Sequence, residues 1–141
     1  MREILFRAKQ HYTKEWLYGA VVKDEDECLI TVGEPDGLYK QKMTVVEEST
    51  VGQFTGLVDK NGKKIFEGDI FTSDYFDDTY NFEVVFSDGA FCGKHKSIGI
   101  YMLGFTNFDD NGEDLGYWCE EDYTSHIQII GNIHDNPKLL S

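Results

Sequence analysis

Apolar and polar residues alternate along most of this chain in short segments, and turn-forming residues separate the segments. Trp16 to Lys23 (WLYGAVVK) and Phe82 to Phe86 (FEVVF) are typical, because aromatic and β-branched side chains recur there with the two-residue period of a strand. A 3.6-residue apolar period does not persist over about 12 positions anywhere, so long helices are not expected. The pattern predicts strands at residues 2–8, 16–23, 28–32, 44–46, 53–58, 63–66, 70–72, 82–86, 90–92 and 127–133, with 98–105 either a short strand or an irregular core segment.

Glycine, asparagine and aspartate mark the connections between these segments. Asp59-Lys60-Asn61-Gly62 contains Asn-Gly, a strong hairpin signal because both residues tolerate a positive φ. Gly33 to Gly37 predicts a loop, and Ser87 to Gly89 predicts a second hairpin turn. Glu47 to Thr50 predicts one helical or 3₁₀ turn, and Pro137 can begin another near the end of the chain.

These elements predict a mainly β fold of antiparallel hairpins with few short helices, a β-rich α+β fold being the alternative. The spacing of the later strands is similar to that of an SH3-like small barrel in the C-terminal half, a likeness that implies no function. At 141 residues, 40% of them hydrophobic, the chain is long enough for one cored domain over 1–141. A division into two subdomains, 1–50 and 51–141, sharing a core is the other arrangement.

The three cysteines, Cys28, Cys92 and Cys119, are odd in number and widely spaced. This pattern favours reduced thiols over a disulfide framework. The start of the chain carries early positive charge but no apolar stretch of about 7–15 residues like that of a signal peptide. Apolar runs also stay well short of the roughly 18 residues that cross a bilayer. We therefore expect a cytoplasmic protein with no membrane partner.

Negative charge is concentrated in one part of the chain. The net charge is −13, and residues 67–124 hold 14 acids against 2 bases, whereas residues 1–66 hold 11 acids and 10 bases. Within the acidic part, residues 106–116 are expected to be a solvated loop. Binding to a phosphate backbone depends on clustered lysine and arginine, so nucleic acid is not an expected partner.

Two groups of residues resemble metal sites only in part. Residues 107–118 place oxygen-bearing side chains at alternate positions, but Trp118 stands where a calcium loop needs a bidentate Glu. Cys92 and His95, with Cys119 and His126, offer four zinc ligand types at a poor spacing for a shared site. Acid pairs are expected by chance in a chain with 26 acids. The sequence therefore assigns no catalytic, cofactor-binding or metal residue, no cofactor and no enzymatic activity.

The stretch V-G-Q-F-T-G-L, followed by D-K-N-G-K and I-F-E-G-D-I, resembles the signature of the YopX family of small phage and prophage proteins. Residues 2–8 (REILFRA), 16–19 (WLYG) and 129–140 (IIGNIHDNPKLL) resemble that family's first strand, second strand and ending. The resemblance spans nearly the whole chain. It implies a compact β-rich protein in a bacterial or phage cytoplasmic setting, without an established activity or site residues to transfer.

Taken together, these features favour a phage or prophage accessory protein that acts through protein contacts or self-assembly. Its expected partner is a second copy of itself, with a host or phage protein as a further candidate. Lys60, Lys63 and Lys64 make the central hairpin tip basic beside an acidic half. The tip is either a solvated loop or an electrostatic contact between copies. The alternative function is inhibition of a host DNA-binding protein, with the acidic 67–124 region imitating nucleic acid.

Overall fold

The computed structural model of the chain describes residues 4–32, 42–74, 80–87, 89–95, 98–101, 106–108, 114–117 and 126–140. The strands form two antiparallel sheets of six and seven strands, which confirms the mainly β fold class. The chain divides into two compact units, Met1–Gly56 and Leu57–Ser141. Each unit has its own hydrophobic cluster, and the core shared between two subdomains stays a prediction.

The first unit is a curled antiparallel sheet. Its elements are β1 (Phe6–Lys9), β2 (Trp16–Lys23), β3 (Cys28–Val32), β4 (Lys42–Val45), a 3₁₀ turn (Glu48–Thr50) and β5 (Gly52–Val58), within which the unit boundary falls. Neighbouring strands pair in the order β4-β3-β2-β1-β5. A bridge between Gln10 and Val46 also joins the ends of β1 and β4, so four strands close into a small ring.

The interior of this ring is apolar. Ala8, Cys28, Ile30 and Val46 are buried there, and Ala8 lies opposite Leu17 on the neighbouring strand. Because side chains alternate between the two faces of a strand, the positions between these residues point outward. The alternation read from the sequence of β2 and β3 therefore corresponds to an inside and an outside of the ring.

The second unit is a seven-stranded antiparallel sheet preceded by a short hairpin strand. Its elements are β6 (Lys64–Phe66), β7 (Asp69–Ser73), β8 (Phe82–Ser87), β9 (Ala90–His95), β10 (Ile98–Tyr101), β11 (Thr106–Phe108), β12 (Asp114–Tyr117), β13 (Ile127–Asn132) and a 3₁₀ turn (Pro137–Leu140). The strand order in the large sheet is β12-β11-β10-β9-β8-β7-β13. An SH3-like barrel in this half stays a prediction.

Aromatic packing organises the second core. The rings of Phe71 and Phe82 stack with their centroids 5.3 Å apart, within a buried cluster that includes Ile65, Val84 and Ile127. Gly93 on β9 leaves room for this pair. A Cβ atom on Gly93 would lie 2.4 Å from Cζ of Phe71, which is closer than packed carbon atoms approach.

We expect Gly93→Ala to lower the free energy of unfolding by about 2 kcal/mol, because the added methyl group forces the Phe71 ring to move. The same substitution in a Phe71→Leu background should cost at least about 1 kcal/mol less, since leucine lacks the ring atoms that clash. Urea unfolding of the four proteins in this cycle measures the coupling. Equal costs in the two backgrounds would contradict the proposed clash.

Most strands lie close to their predicted positions, and β2 and β3 have the predicted bounds. The prediction of an acidic loop over residues 106–116 is wrong at both ends, because the residues there form β11 and β12, which pair with each other. Charge favours exposure but does not prevent a strand from forming when a neighbouring strand supplies hydrogen bonds. The predicted turn at Glu47–Thr50 is confirmed as a 3₁₀ turn over Glu48–Thr50.

Candidate functional site

The central hairpin is held by a buried carboxylate. Asp59 is 5% exposed, and its Oδ1 accepts hydrogen bonds from the backbone N–H groups of Asn61 and Lys63, both at 2.9 Å. Its Oδ2 accepts a third from the N–H of Ile129 on β13, at 3.0 Å. The N–H of Lys60 donates to the carbonyl of Ile127 at 2.9 Å. Asp59 therefore fixes the hairpin turn and attaches it to the edge of β13.

Two opposing effects act on the pKa of Asp59. Burial raises it, but the hydrogen bonds from Ile129, Lys63 and Asn61, together with the positive charge of Lys63, outweigh burial and hold the pKa below its ordinary value. The carboxylate is thus ionised at neutral pH and occupied by backbone donors. This arrangement gives Asp59 a structural role in the turn.

The remaining residues of the central motif have similar explanations. Gly62 and Gly68 have φ angles of 84° and 89°, a region that glycine adopts at no steric cost. The N–H of Gly68 donates to Val84 at 2.9 Å. Asp69 is buried, and its Oδ2 accepts a hydrogen bond of 2.8 Å from the N–H of Phe66. The residues of the central motif are therefore explained by the backbone geometry of two successive turns.

The ending motif is a second polar turn. Oδ1 of Asn132 accepts hydrogen bonds from the N–H groups of His134 and Asp135, at 3.0 and 2.9 Å. The N–H of Asn136 donates to the Asn132 carbonyl at 2.8 Å. A Cβ atom on Gly131 would lie 2.5 Å from Oδ1 of Asn136. The sequence G-N-I-H-D-N is accordingly explained by local backbone geometry.

An acidic cavity lies at one end of the ring in the first unit. It has a volume of about 440 Å³ and is lined by the segments 11–12, 23–28 and 45–48. We call it the ring mouth. Its lining includes six carboxylate residues, which are Asp24, Glu25, Asp26, Glu27, Glu47 and Glu48. Tyr12, which is 82% exposed, stands at the rim.

Some charges at the ring mouth are already paired. Lys23 forms an ion pair with Glu48, and Lys14 forms one with Glu47. The hydrogen bond and charge of Glu48 raise the pKa of Lys23. The N–H groups of Glu27 and Asp26 lower the pKa of the Asp24 carboxyl. Glu25 and Asp26 themselves are exposed, and they keep the rim negative.

Cys28 lies at the floor of the ring mouth and is 7% exposed. Burial raises the pKa of its thiol, and the charge of Glu48 acts in the same direction, whereas Lys23 opposes both. The thiol is free and, at neutral pH, protonated. Since nucleophilic cysteines require a thiolate, this position suits a packing role.

The outside of the first unit carries an apolar surface. Tyr18, Val22 and Met43 are 49%, 46% and 49% exposed. Two rows cross the strands there in register, one made of Val22, Leu29 and Val45 and the other of Ala20, Thr31 and Met43. We call this surface, made by β2, β3 and β4, the outer face. Val45 also lines the ring mouth, so the apolar and acidic surfaces are continuous.

Beside the outer face, Trp16 interacts with two cations. The guanidinium of Arg7 lies 4.6 Å from the indole centroid, and Nζ of Lys9 lies 5.4 Å from it. Cation–π contacts of this kind stabilise the β1–β2 pair. Trp16 and Arg7 therefore interact with each other within the first unit.

The hairpin tip, Asp59 to Lys64, is the basic feature of the second unit. Residues 60–64 are all exposed, and Nζ of Lys60 lies 3.8 Å from Oδ1 of Asp74. Asp74 is also 3.7 Å from Nδ1 of His126. Lys60 therefore contacts an acidic residue of its own chain, and the electrostatic contact between copies stays a prediction.

The sequence candidates for metal binding are separated. Cys92 is buried with its Sγ 3.6 Å from the carbonyl oxygen of Ala90, and Nδ1 of His95 lies 2.9 Å from the carbonyl oxygen of Asn81. His126 lies beside Asp74, and Cys119 is outside the described residues. Among the residues that the structure describes, three or more metal-ligating side chains do not come together anywhere. Half of the calcium-like segment 107–118 lies outside the described residues.

The structure describes part of the acidic region, residues 67–124, and the acids there differ in their burial and contacts. Asp69 is buried beside the N–H of Phe66. Glu83 is partly buried opposite Lys94. Burial raises the pKa of the Glu83 carboxyl, while the charge of Lys94 opposes that change. Nine of the 14 acids in the predicted nucleic-acid mimic lie outside the described residues.

The fold therefore defines a small, mainly β protein of two antiparallel sheets with an exposed apolar face. The family described as YopX protein matches residues 5–141, and the chain belongs to this family. The whole chain is also similar to the crystal structure of protein EF1440 from Enterococcus faecalis, with a TM-score of 0.55 and 25% identity over 100% of both chains. A search of curated proteins found no match. Within the described residues, helices are too short or too polar to cross a membrane.

Proposed function

We propose that this YopX-family protein is a non-enzymatic accessory protein of phage or prophage origin that acts in the host cytoplasm through protein contacts, self-association included. The family match supports this proposal, as does the resemblance to small phage and prophage proteins. Replication, packaging or anti-defence genes beside the coding gene would support the origin. Metabolic neighbours unrelated to phage would count against it.

The observation that carries the proposal is the outer face. Tyr18 and Val22 on β2 and Met43 on β4 each leave about half of their surface in water. The rows Val22–Leu29–Val45 and Ala20–Thr31–Met43 connect these two strands through β3. Exposed apolar side chains are ordinary when scattered, but a contiguous group rimmed by polar residues is typical of a protein interface. A contact that covers this face removes that surface from water at about 25 cal/mol per Å².

Serine substitutions on the outer face test the proposal. We expect the wild-type protein to associate at high concentration, and Val22→Ser with Met43→Ser to weaken the association at least about tenfold through lost apolar burial. Sedimentation velocity across a concentration series measures this. Ile130→Ser is the matched control, because Ile130 is a similarly exposed strand residue of the second unit.

Urea unfolding of the same variants separates association from folding. The two serines should change monomer stability by less than about 1 kcal/mol, since both side chains are half exposed. A wild-type protein that stays monomeric at every concentration would remove self-association from the proposal. Equal weakening by Ile130→Ser would show that the outer face has no special part.

A further inference from the structure

We propose that copies of this chain associate head to tail, with the hairpin tip of one copy docking on the outer face and ring mouth of the next. This inference rests on the self-association in the proposed function and names the surfaces that form it. The occupant is therefore a second copy of the chain, presenting residues 58–64. The receiving surface is formed by β2, β3 and β4 with the segments around the ring mouth.

The receiving surface combines an apolar row with negative charge. Val22, Leu29 and Val45 form the row, and Val45 is shared with the ring mouth. Beyond the row, Glu25, Asp26 and Glu27 are exposed. The cavity of about 440 Å³ is large enough to receive the end of a lysine side chain, whose volume is a fraction of that.

The hairpin tip has the opposite character. Lys60, Lys63 and Lys64 are exposed within five residues. Asp59 is 5% exposed and its oxygens accept three backbone hydrogen bonds, so its negative charge is withdrawn from the surface. Val58, at the base of the tip, is 44% exposed. The tip therefore offers one apolar side chain and a cluster of positive charge.

Charge complementarity selects the tip as the occupant. Each copy carries a net charge of −13, so most approaches of two copies are repulsive. An approach that places the lysines of the tip against the carboxylates of the ring mouth is attractive, and Val58 can then contact the Val22 row. Complementary charge of this kind fixes orientation and suppresses other arrangements.

The two docking surfaces are different parts of the chain, so the contact is heterologous. Each copy keeps one unused tip and one unused mouth after a single contact forms. Heterologous contacts continue into closed rings or open chains, whereas a symmetric contact between identical faces stops at a dimer. Assembly beyond a dimer is accordingly expected.

Paired charge reversals test the orientation. One variant carries Lys63→Glu and Lys64→Glu, and a second carries Glu25→Lys and Asp26→Lys. Asp24 is left unchanged because its carboxylate accepts hydrogen bonds from the N–H groups of Asp26 and Glu27. The first variant makes the tip negative like the mouth, and the second removes most of the negative charge of the mouth, so the association of each should weaken at least about tenfold by sedimentation velocity. Lys138→Glu, outside both surfaces, is the charge control and should associate like the wild type.

The decisive measurement is an equimolar mixture of the two variants. The introduced glutamates of one variant then face the introduced lysines of the other, and the two unaltered surfaces also meet, so association should return to within about threefold of the wild type. Circular dichroism melting of each variant checks that it is folded. A wild-type protein that does not associate overturns both this inference and the self-association in the proposed function. Association of the wild type with unchanged association of either variant, or no recovery on mixing, overturns the head-to-tail contact alone.

Discussion

Replacing Asp59 with alanine is expected to lower the free energy of unfolding by about 3 kcal/mol. The substitution leaves the N–H groups of Asn61, Lys63 and Ile129 without their acceptor, in a place where the carboxylate is 5% exposed. Asp59→Asn should recover part of the loss, because its single amide oxygen replaces one of the two carboxylate oxygens. Urea unfolding at neutral pH measures both.

The contribution of Asp59 also depends on pH. Its pKa is lower in the folded protein than the ordinary value of about 3.9, so its stabilising effect is fully present above that value and declines as the pH falls through the folded-state pKa. The difference in stability between wild type and Asp59→Asn should therefore shrink below about pH 4. A difference that stays constant down to pH 2 would contradict an ionised carboxylate at this position.

Asp24→Asn is the matched control for Asp59. Asp24 also accepts hydrogen bonds from backbone N–H groups of a turn, but it is exposed. Water can replace the lost acceptor there, so we expect a clearly smaller effect on the unfolding midpoint. Equal effects at the two positions would show that burial and the connection to β13 add nothing at Asp59.

Gly19→Ala is expected to lower the free energy of unfolding by at least about 3 kcal/mol. A Cβ atom at this position on β2 would lie 1.8 Å from the carbonyl oxygen of Thr31. The neighbour is backbone, so a change of rotamer cannot relieve the overlap and β2 must separate from β3. Hydrogen exchange should show the loss first in the amides of β2 and β3.

Ala20→Gly serves as the comparison for Gly19→Ala. Ala20 is exposed and its methyl group faces away from the ring interior. Removing this methyl group changes backbone entropy by about 1 kcal/mol or less, while adding one at Gly19 creates a clash. If Gly19→Ala were as mild as Ala20→Gly, β2 and β3 would have to be farther apart in solution than in the structure.

The positions of most strands follow from local sequence. The alternation in Trp16–Lys23 and the β-branched residues of Cys28–Val32 specify strands without reference to the rest of the chain. Asn61-Gly62 likewise specifies its turn, and Gly62 has the positive φ that such a turn requires. By contrast, β11 and β12 lie in an acidic segment that has no such pattern, and pairing with neighbouring strands defines them.

Candidate sites follow less directly from sequence. The lysines of the hairpin tip are visible in the sequence, as is the acidic run Asp24 to Glu27. The sequence does not indicate that Asp24 to Glu27 share a cavity with Glu47 and Glu48. The ring closes through Gln10 and Val46, which are distant in sequence. The sequence signal for the outer face is the apolar residue at every second position of β2, on the side opposite Leu17 and Val21.

The β character of this protein, its turns, its charge and its family follow from the sequence alone, because strand period, turn chemistry and composition are local properties. The roles of Asp59 and of the outer face depend instead on contacts between distant parts of the chain. Asp59 is a turn-stabilising group because Ile129, 70 positions away, brings an N–H to its second oxygen. Tyr18, Val22 and Met43 are a surface because ring closure turns alternate residues outward, and closure depends on long-range pairing that no local pattern encodes.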